Sequence, residues 1–278
     1  MDSIPFGVAR LDDIIGGGAP PGNVVLLSGE PGAGAREFLY TSATMNALGH
    51  ADPELFDLYY GDLHEGASLP PEIHYLSFTS DEDFLRREMT YTMDRELVES
   101  ALAHIEFRDL SPEYFQLSPV PREWYLGETT KLRDLGRQNE RESLLSALGE
   151  YLNRNARGNL VVIDSVTDLV ASISDEMGWA DIAVLMKGLA KAAHTWGGLI
   201  LLLVSTETLT DTQHGHVNDA VDGTFSFEWE TGGSKRARTM HVQQFRGVLS
   251  RLEAENIVQF ETEVNEAGLD ISDVRKIR

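Results

Sequence analysis

The chain contains no cysteine, which removes disulfides, thiolate catalysis and cysteine-ligated zinc from consideration. Its longest uninterrupted apolar run, Leu199 to Val204, is far short of the roughly 20 residues a bilayer-spanning helix needs. The opening MDSIPFGVARLDD has neither a basic start nor an apolar stretch of signal-peptide length, so a cytoplasmic location and no membrane partner are expected. Lysine is scarce as well: residues 131, 187, 191, 235 and 276 are the only ones. With 45 acidic against 23 basic side chains, the net charge is −22 over 278 residues. Such self-repulsion costs stability in dilute buffer and is screened in concentrated salt, where the Debye length falls to about 3 Å at 1 M. Acid spread along the whole chain, with so little lysine, points to a salt-loving cytoplasm, the alternative being an ordinary acidic cytosolic protein. Nucleic acid is an unfavoured partner, because phosphate contacts require Lys or Arg. Only a local basic patch, such as Lys235-Arg236-Arg238, could override that.

A further absence lies inside a motif that is otherwise present. Gly29-Glu30-Pro31-Gly32-Ala33-Gly34-Ala35-Arg36 has the glycine frame of a phosphate-binding loop, G-x-x-x-x-G-K-[ST]. In that pattern glycines let backbone N–H groups wrap phosphate oxygens, the Lys neutralises the outer phosphates and the hydroxyl holds Mg²⁺. Here Ala35 stands in the Lys position and Arg36 in the Ser/Thr position.

The rest of the chain reads as an α/β alternation. Asn23–Ser28, Ile73–Phe78, Asn159–Asp164 and Leu199–Val204 are short apolar runs of buried-strand type, and Ile105–Phe107 is a weaker one. Helices are expected near 35–48, from Ser80-Asp81-Glu82-Asp83 towards Leu102, near 140–155 and over 179–195. Apolar strands alternating with helices imply a parallel sheet covered on both faces. Val221–Glu230, Arg238–Phe245 and Asn256–Val264 then read as three strands without intervening helices, an antiparallel extension at one edge. The expected architecture is a three-layer α/β sandwich, one domain over 1–278, with insertions near 50–72 and 112–135. The stretch 112–124 reads as an ordered loop, and His214-Gly215-His216 as a loop with no third metal ligand.

Taken in order, Leu11-Asp12, Gly16-Gly17-Gly18-Ala19-Pro20-Pro21-Gly22, the glycine loop, the strands ending at Phe78 and Asp164, and Gln243-Gln244-Phe245-Arg246-Gly247 resemble the RecA superfamily, with the nearest likeness to KaiC-like ATPases. The resemblance covers nearly the whole chain and is weakest at 50–72 and 112–135. It implies a RecA-like fold with a mostly parallel central sheet. It also implies ATP as cofactor, bound by Gly29, Glu30, Pro31, Gly32, Ala33, Gly34, Ala35, Arg36 and Asp164, and assembly into rings or filaments with itself or with a related RecA-like protein.

Carried over residue by residue, the catalytic carboxylates at the end of the second strand fall at Thr79 and Ser80, and only Asp164 matches the metal-supporting acid. Losing the Lys alone should weaken nucleotide binding by about one to two orders of magnitude, since hydrogen bonds to charged groups contribute about 1.5–3 kcal/mol. Mg²⁺ loses its hydroxyl ligand. Two readings stand at Arg36: an anion held without metal, or a pair with Glu37 or another carboxylate. Asp164 either supports a metal or caps the following turn through Ser165 and Thr167, and Asp81–Asp83 either replace the missing base or cap a helix. Arg246 either reaches a neighbouring subunit's phosphate or forms a surface ion pair. The function expected is a regulatory or interaction module with weak or no ATP hydrolysis, the alternatives being a working ATPase or a recombination accessory factor.

Overall fold

The computed structural model describes residues 2–116, 118–125, 144–173, 178–230, 237–254 and 257–276. Its strands are β1 (Asn23–Gly29), β2 (Ile73–Ser77), β3 (Ile105–Asp109), β4 (Leu160–Asp164), β5 (Leu199–Ser205), β6 (Gly223–Glu230), β7 (Ala237–Phe245), β8 (Ile257–Asn265) and β9 (Gly268–Lys276). They form one nine-stranded sheet in the order β3-β2-β4-β5-β1-β6-β7-β8-β9. The helices are α1 (Ala9–Ile15), α2 (Ala35–Ala51), α3 (Pro53–Tyr59), α4 (Glu82–Thr92), α5 (Arg95–Ala101), α6 (Ser111–Phe115), α7 (Leu144–Asn155), α8 (Val166–Ile173), α9 (Trp179–Trp196), α10 (Asp211–Ala220) and α11 (Leu249–Ala254).

β3, β2, β4, β5, β1 and β6 run parallel, and β7, β8 and β9 complete the sheet antiparallel. The central strands are apolar on both faces because both faces are covered. Alternate residues of β1 enter different cores: Val25 and Leu27 join Phe38, Phe225 and Tyr75 on the α2 side, while Val24 and Leu26 join Ile163, Leu202 and residues of α7 to α10 on the other. The α/β sandwich with its mostly parallel sheet and antiparallel C-terminal extension is therefore as expected.

Several local expectations are corrected. Val221–Glu230 belongs to the parallel part, where Gly223–Phe227 pairs with Val25–Gly29. The extension instead contains β9, and α11 separates β7 from β8. The single helix expected towards Leu102 is two, because Asp94 leaves helical geometry and its carboxylate caps Glu96 and Leu97. The 112–124 stretch begins in α6. His214 and His216 lie on α10, not in a loop. The expected segments 126–135 and 140–143 fall outside the described residues.

The glycine-rich lead-in to β1 is a structural device. Ile4 and Ala19 form an isolated antiparallel bridge, with reciprocal backbone hydrogen bonds of 2.8 and 2.9 Å. The Asp12 carboxylate, 1% exposed, accepts from the N–H of Phe6 at 2.8 Å, the N–H of Gly7 at 2.9 Å and the hydroxyl of Tyr60 at 3.0 Å. Phe6 is thereby held in an aromatic cluster with Phe38, Phe225 and Phe245 at centroid distances of 5.7, 5.1 and 5.9 Å. Gly18 has φ +111°, and a Cβ there would stand 2.1 Å from the carbonyl oxygen of Ile4. Gly18→Ala should thus destabilise the protein by about 3 kcal/mol or more, read as a lower urea midpoint at unchanged slope.

Candidate functional site

β1 ends at Gly29, paired on one side with β5 and on the other with β6, and the chain then turns over the top of the sheet. The turn is held from within by the N–H of Ala33 on the carbonyl of Glu30 at 3.0 Å, and from the side by the N–H of Glu30 on the carbonyl of Phe227 at 3.1 Å. Gly34, at φ +121°, leads into α2, and a Cβ there would lie 2.8 Å from Leu269 Cδ1. No side chain caps the first turn of α2. Backbone N–H groups at an uncapped helix start favour anions, so the frame that usually cradles phosphate is intact.

The side chains around that frame tell a different story. Arg36 directs Nη2 onto Oδ1 of Asp164 at 2.9 Å, bridging 128 positions of sequence. The other carboxylate oxygen, Oδ2, accepts from the Tyr75 hydroxyl at 2.9 Å. Tyr75 is on β2 and Asp164 at the end of β4, adjacent strands in which Ser77 and Asp164 are in register. The Asp164 side chain is 6% exposed and that of Arg36 54%. Burial raises the Asp164 carboxyl above the ordinary carboxylate range, with Arg36 and Tyr75 pulling it part of the way back. For Arg36, burial acts downward, and the Asp164 charge and hydrogen bond together with Tyr75 and Tyr40 more than offset it, so the guanidinium stays cationic. Tyr75 is raised well above a free phenol, first by burial and then by the same carboxylate.

Arg36 therefore pairs with Asp164 and not with Glu37. The cap expected of Asp164 belongs to its neighbour: Ser165 Oγ receives the N–H of Asp168 at 3.2 Å and donates to the Asp168 carboxylate at 2.6 Å. Thr167 Oγ1 accepts the N–H of Ser205 at 3.0 Å. Thr79 and Ser80 direct their N–H groups at Ser77 Oγ, and Asp81 caps α4 by accepting the N–H of Phe84 at 2.8 Å. Arg246 lies 3.6 Å from the buried Asp222.

A cavity of about 420 Å³ opens beside the loop, between Gly29–Gly32, Arg36, Ser165, Thr167, Asp168 and Leu203–Ser205. Glu30, Glu37 and Asp168 contribute carboxylates to its wall, and Arg36 is its one cation among the described residues. Mg²⁺ on a nucleotide requires near-octahedral oxygen ligands at about 2.0–2.1 Å. At this site the position of the helix hydroxyl is filled by a cation, and the matching carboxylate is engaged by it. The residues present do not fit a Mg²⁺–nucleotide complex.

The opposite flank of the loop carries a contact that neither motif nor composition indicated. Trp229 on β6 donates its Nε1–H to the carbonyl of Pro31 at 3.1 Å, and Arg238 on β7 donates from Nε to the carbonyl of Gly32 at 2.9 Å. The two residues are direct partners in the β6–β7 register, and the guanidinium lies 4.8 Å from the indole ring. Arg238 of the expected basic patch is thus engaged with the loop, while Lys235 and Arg236 lie outside the described residues. Beneath the loop, Ser28 Oγ is hydrogen-bonded to His214 Nε2.

Among solved structures, a KaiC-like protein from the hyperthermophilic archaeon Pyrococcus horikoshii matches 98% of this chain and 99% of its own, with a TM-score of 0.59 and 18% sequence identity. No protein-family model matches the sequence, and no curated protein matches it significantly. At that identity the likeness establishes the fold alone, one shared with this KaiC-like protein. Among the described residues no helix is long and apolar enough to cross a membrane.

Proposed function

We propose that this chain is a catalytically degenerate KaiC-like protein, a regulatory or interaction module with weak or no ATP hydrolysis. One observation carries the reading: the Arg36 guanidinium is bonded to Asp164, the carboxylate that a hydrolytic site keeps for its metal. Three further features support it. Ala35 supplies no charge to phosphate, the cavity wall is acidic through Glu30, Glu37 and Asp168, and Asp81 is committed to capping α4. Phosphoryl transfer depends almost wholly on positioning and charge stabilisation, so these losses act on the same step.

The partner is read as a second copy of this chain or a related RecA-like protein, in keeping with the ring- or filament-forming character implied by the sequence resemblance. Arg238 is tied to the loop, which leaves the basic patch a weak basis for nucleic-acid binding.

Phosphate release from ATP, followed in molar KCl with Mg²⁺, tests the proposal. We expect release indistinguishable from the rate without protein. Turnover that disappears in Asp164→Ala would instead establish a working ATPase.

A further inference from the structure

The misfit between this site and Mg²⁺ has a consequence for the chain's own residues, resting on the reading just given. Asp164 is a nearly buried carboxylate with one oxygen on Tyr75 and the other on Arg36. Next to it are the Ser165 hydroxyl and the Asp168 carboxylate, which are bonded to each other at 2.6 Å, and both border the cavity that Arg36 also lines. This is an oxygen-rich corner in which two carboxylates lie close enough for Asp168 to disfavour ionisation of Asp164. A hard divalent cation selects such a donor set, carboxylate and hydroxyl oxygens beside open solvent space. In the observed structure a single guanidinium supplies the positive charge. It is delivered from the first turn of α2, so the charge also ties that helix start to the end of β4.

We propose that Arg36 is a tethered substitute for a divalent cation, closing a latent metal site at Asp164 and holding α2 to β4 without metal or nucleotide. Three consequences follow in ordinary chemistry. The native joint is indifferent to chelators. Neutralising position 36 while adding a hydroxyl opens the site to a metal. Retaining a positive charge at position 36 keeps it closed, because a like charge repels the incoming ion.

The probe is Mn²⁺ alone, without nucleotide, read as the shift in Tm in molar KCl, where non-specific attraction to the acidic surface is screened. Wild type and Arg36→Lys should show no shift on adding Mn²⁺ or EDTA. Arg36→Ser should gain a Tm rise of roughly 2–4 °C with saturating Mn²⁺, and the rise should vanish in Arg36→Ser/Asp164→Asn. Should Arg36→Ser not fold, Arg36→Thr, which also supplies a hydroxyl without the charge, is read by the same criterion. An equal Mn²⁺ shift in wild type, or none in a folded variant that carries a neutral hydroxyl at position 36, overturns the inference. The degenerate-ATPase reading fails on a different measurement, phosphate release by wild type, so the two outcomes are separable.

Discussion

Arg36→Met should lower stability by about 2–4 kcal/mol near neutral pH, with the deficit shrinking as the pH falls. Removing one member of a buried ion pair strands the other, at a typical cost of about 3–5 kcal/mol. The figure is discounted here because the Arg36 side chain is half exposed and part of its interaction is screened by solvent. What is stranded is the Asp164 carboxylate, left with Tyr75 alone in a site where burial already holds its pKa above the ordinary value. A raised carboxyl contributes stability that is fully present below its unfolded-state pKa and is lost as pH climbs through the folded-state value. Removing Arg36 raises the folded-state value further, so the difference between variant and wild type opens above the ordinary carboxylate range and is largest at neutrality. Asp164→Asn should cost less, since it leaves an arginine whose side chain water can reach. Urea midpoints of the three proteins across the acid-to-neutral range test this. A pH-independent Arg36→Met deficit would show that the pair contributes only packing.

Asp12→Ala should be at least as damaging, by about 3–5 kcal/mol, although Asp12 takes no part in the loop. The substitution orphans the N–H groups of Phe6 and Gly7 and the Tyr60 hydroxyl, and each buried donor left unsatisfied costs about 1–3 kcal/mol. Burial raises the Asp12 carboxyl to about 7, against the opposing pull of its hydrogen-bond donors. The sign follows as for Asp164: its contribution is complete below the unfolded value of 3.8 and falls away as pH rises towards about 7. Asp12→Asn keeps an acceptor for one donor and cannot titrate. It should be less stable than wild type in acid, and the difference should narrow towards neutral pH. Denaturation of wild type, Asp12→Ala and Asp12→Asn across this pH range at matched high salt checks both points, because salt removes much of the general acidic repulsion.

The loop and its flanking strands were legible in the sequence because their signals are local. β1, β4 and β5 are nearly unbroken apolar runs, and Gly29 to Arg36 carry a spaced pattern whose backbone purpose is steric. What escaped depends on contacts between distant residues. β9 carries little apolar signal because the antiparallel edge buries little more than Leu269 and Ile271, while Ser272 and Asp273 face water. The break between α4 and α5 is hidden because Met89, Met93 and Leu97 keep helical spacing across it, all buried. Parallel pairing of β6 with β1 follows from the course of α10, which carries no sequence mark of where it returns the chain.

The candidate site divides in the same way. Arg36 and Asp164 were each identifiable, but their union requires β1, β5 and β4 to lie side by side with α2 beginning above them. Tyr75 looks like any strand aromatic until the β2–β4 register brings its hydroxyl to Asp164. Trp229 and Arg238 meet the loop only because the β6–β7 register places them opposite each other.

Calorimetric titration of the wild-type chain with ATP, in molar KCl with and without Mg²⁺, tests most directly whether the loop has exchanged its metal-gripping role for an internal ion pair. The expected result is weak or undetectable heat in both titrations, with no gain from Mg²⁺. Tight binding that requires Mg²⁺ would contradict it, because Asp164 would then have to leave Arg36 for the metal.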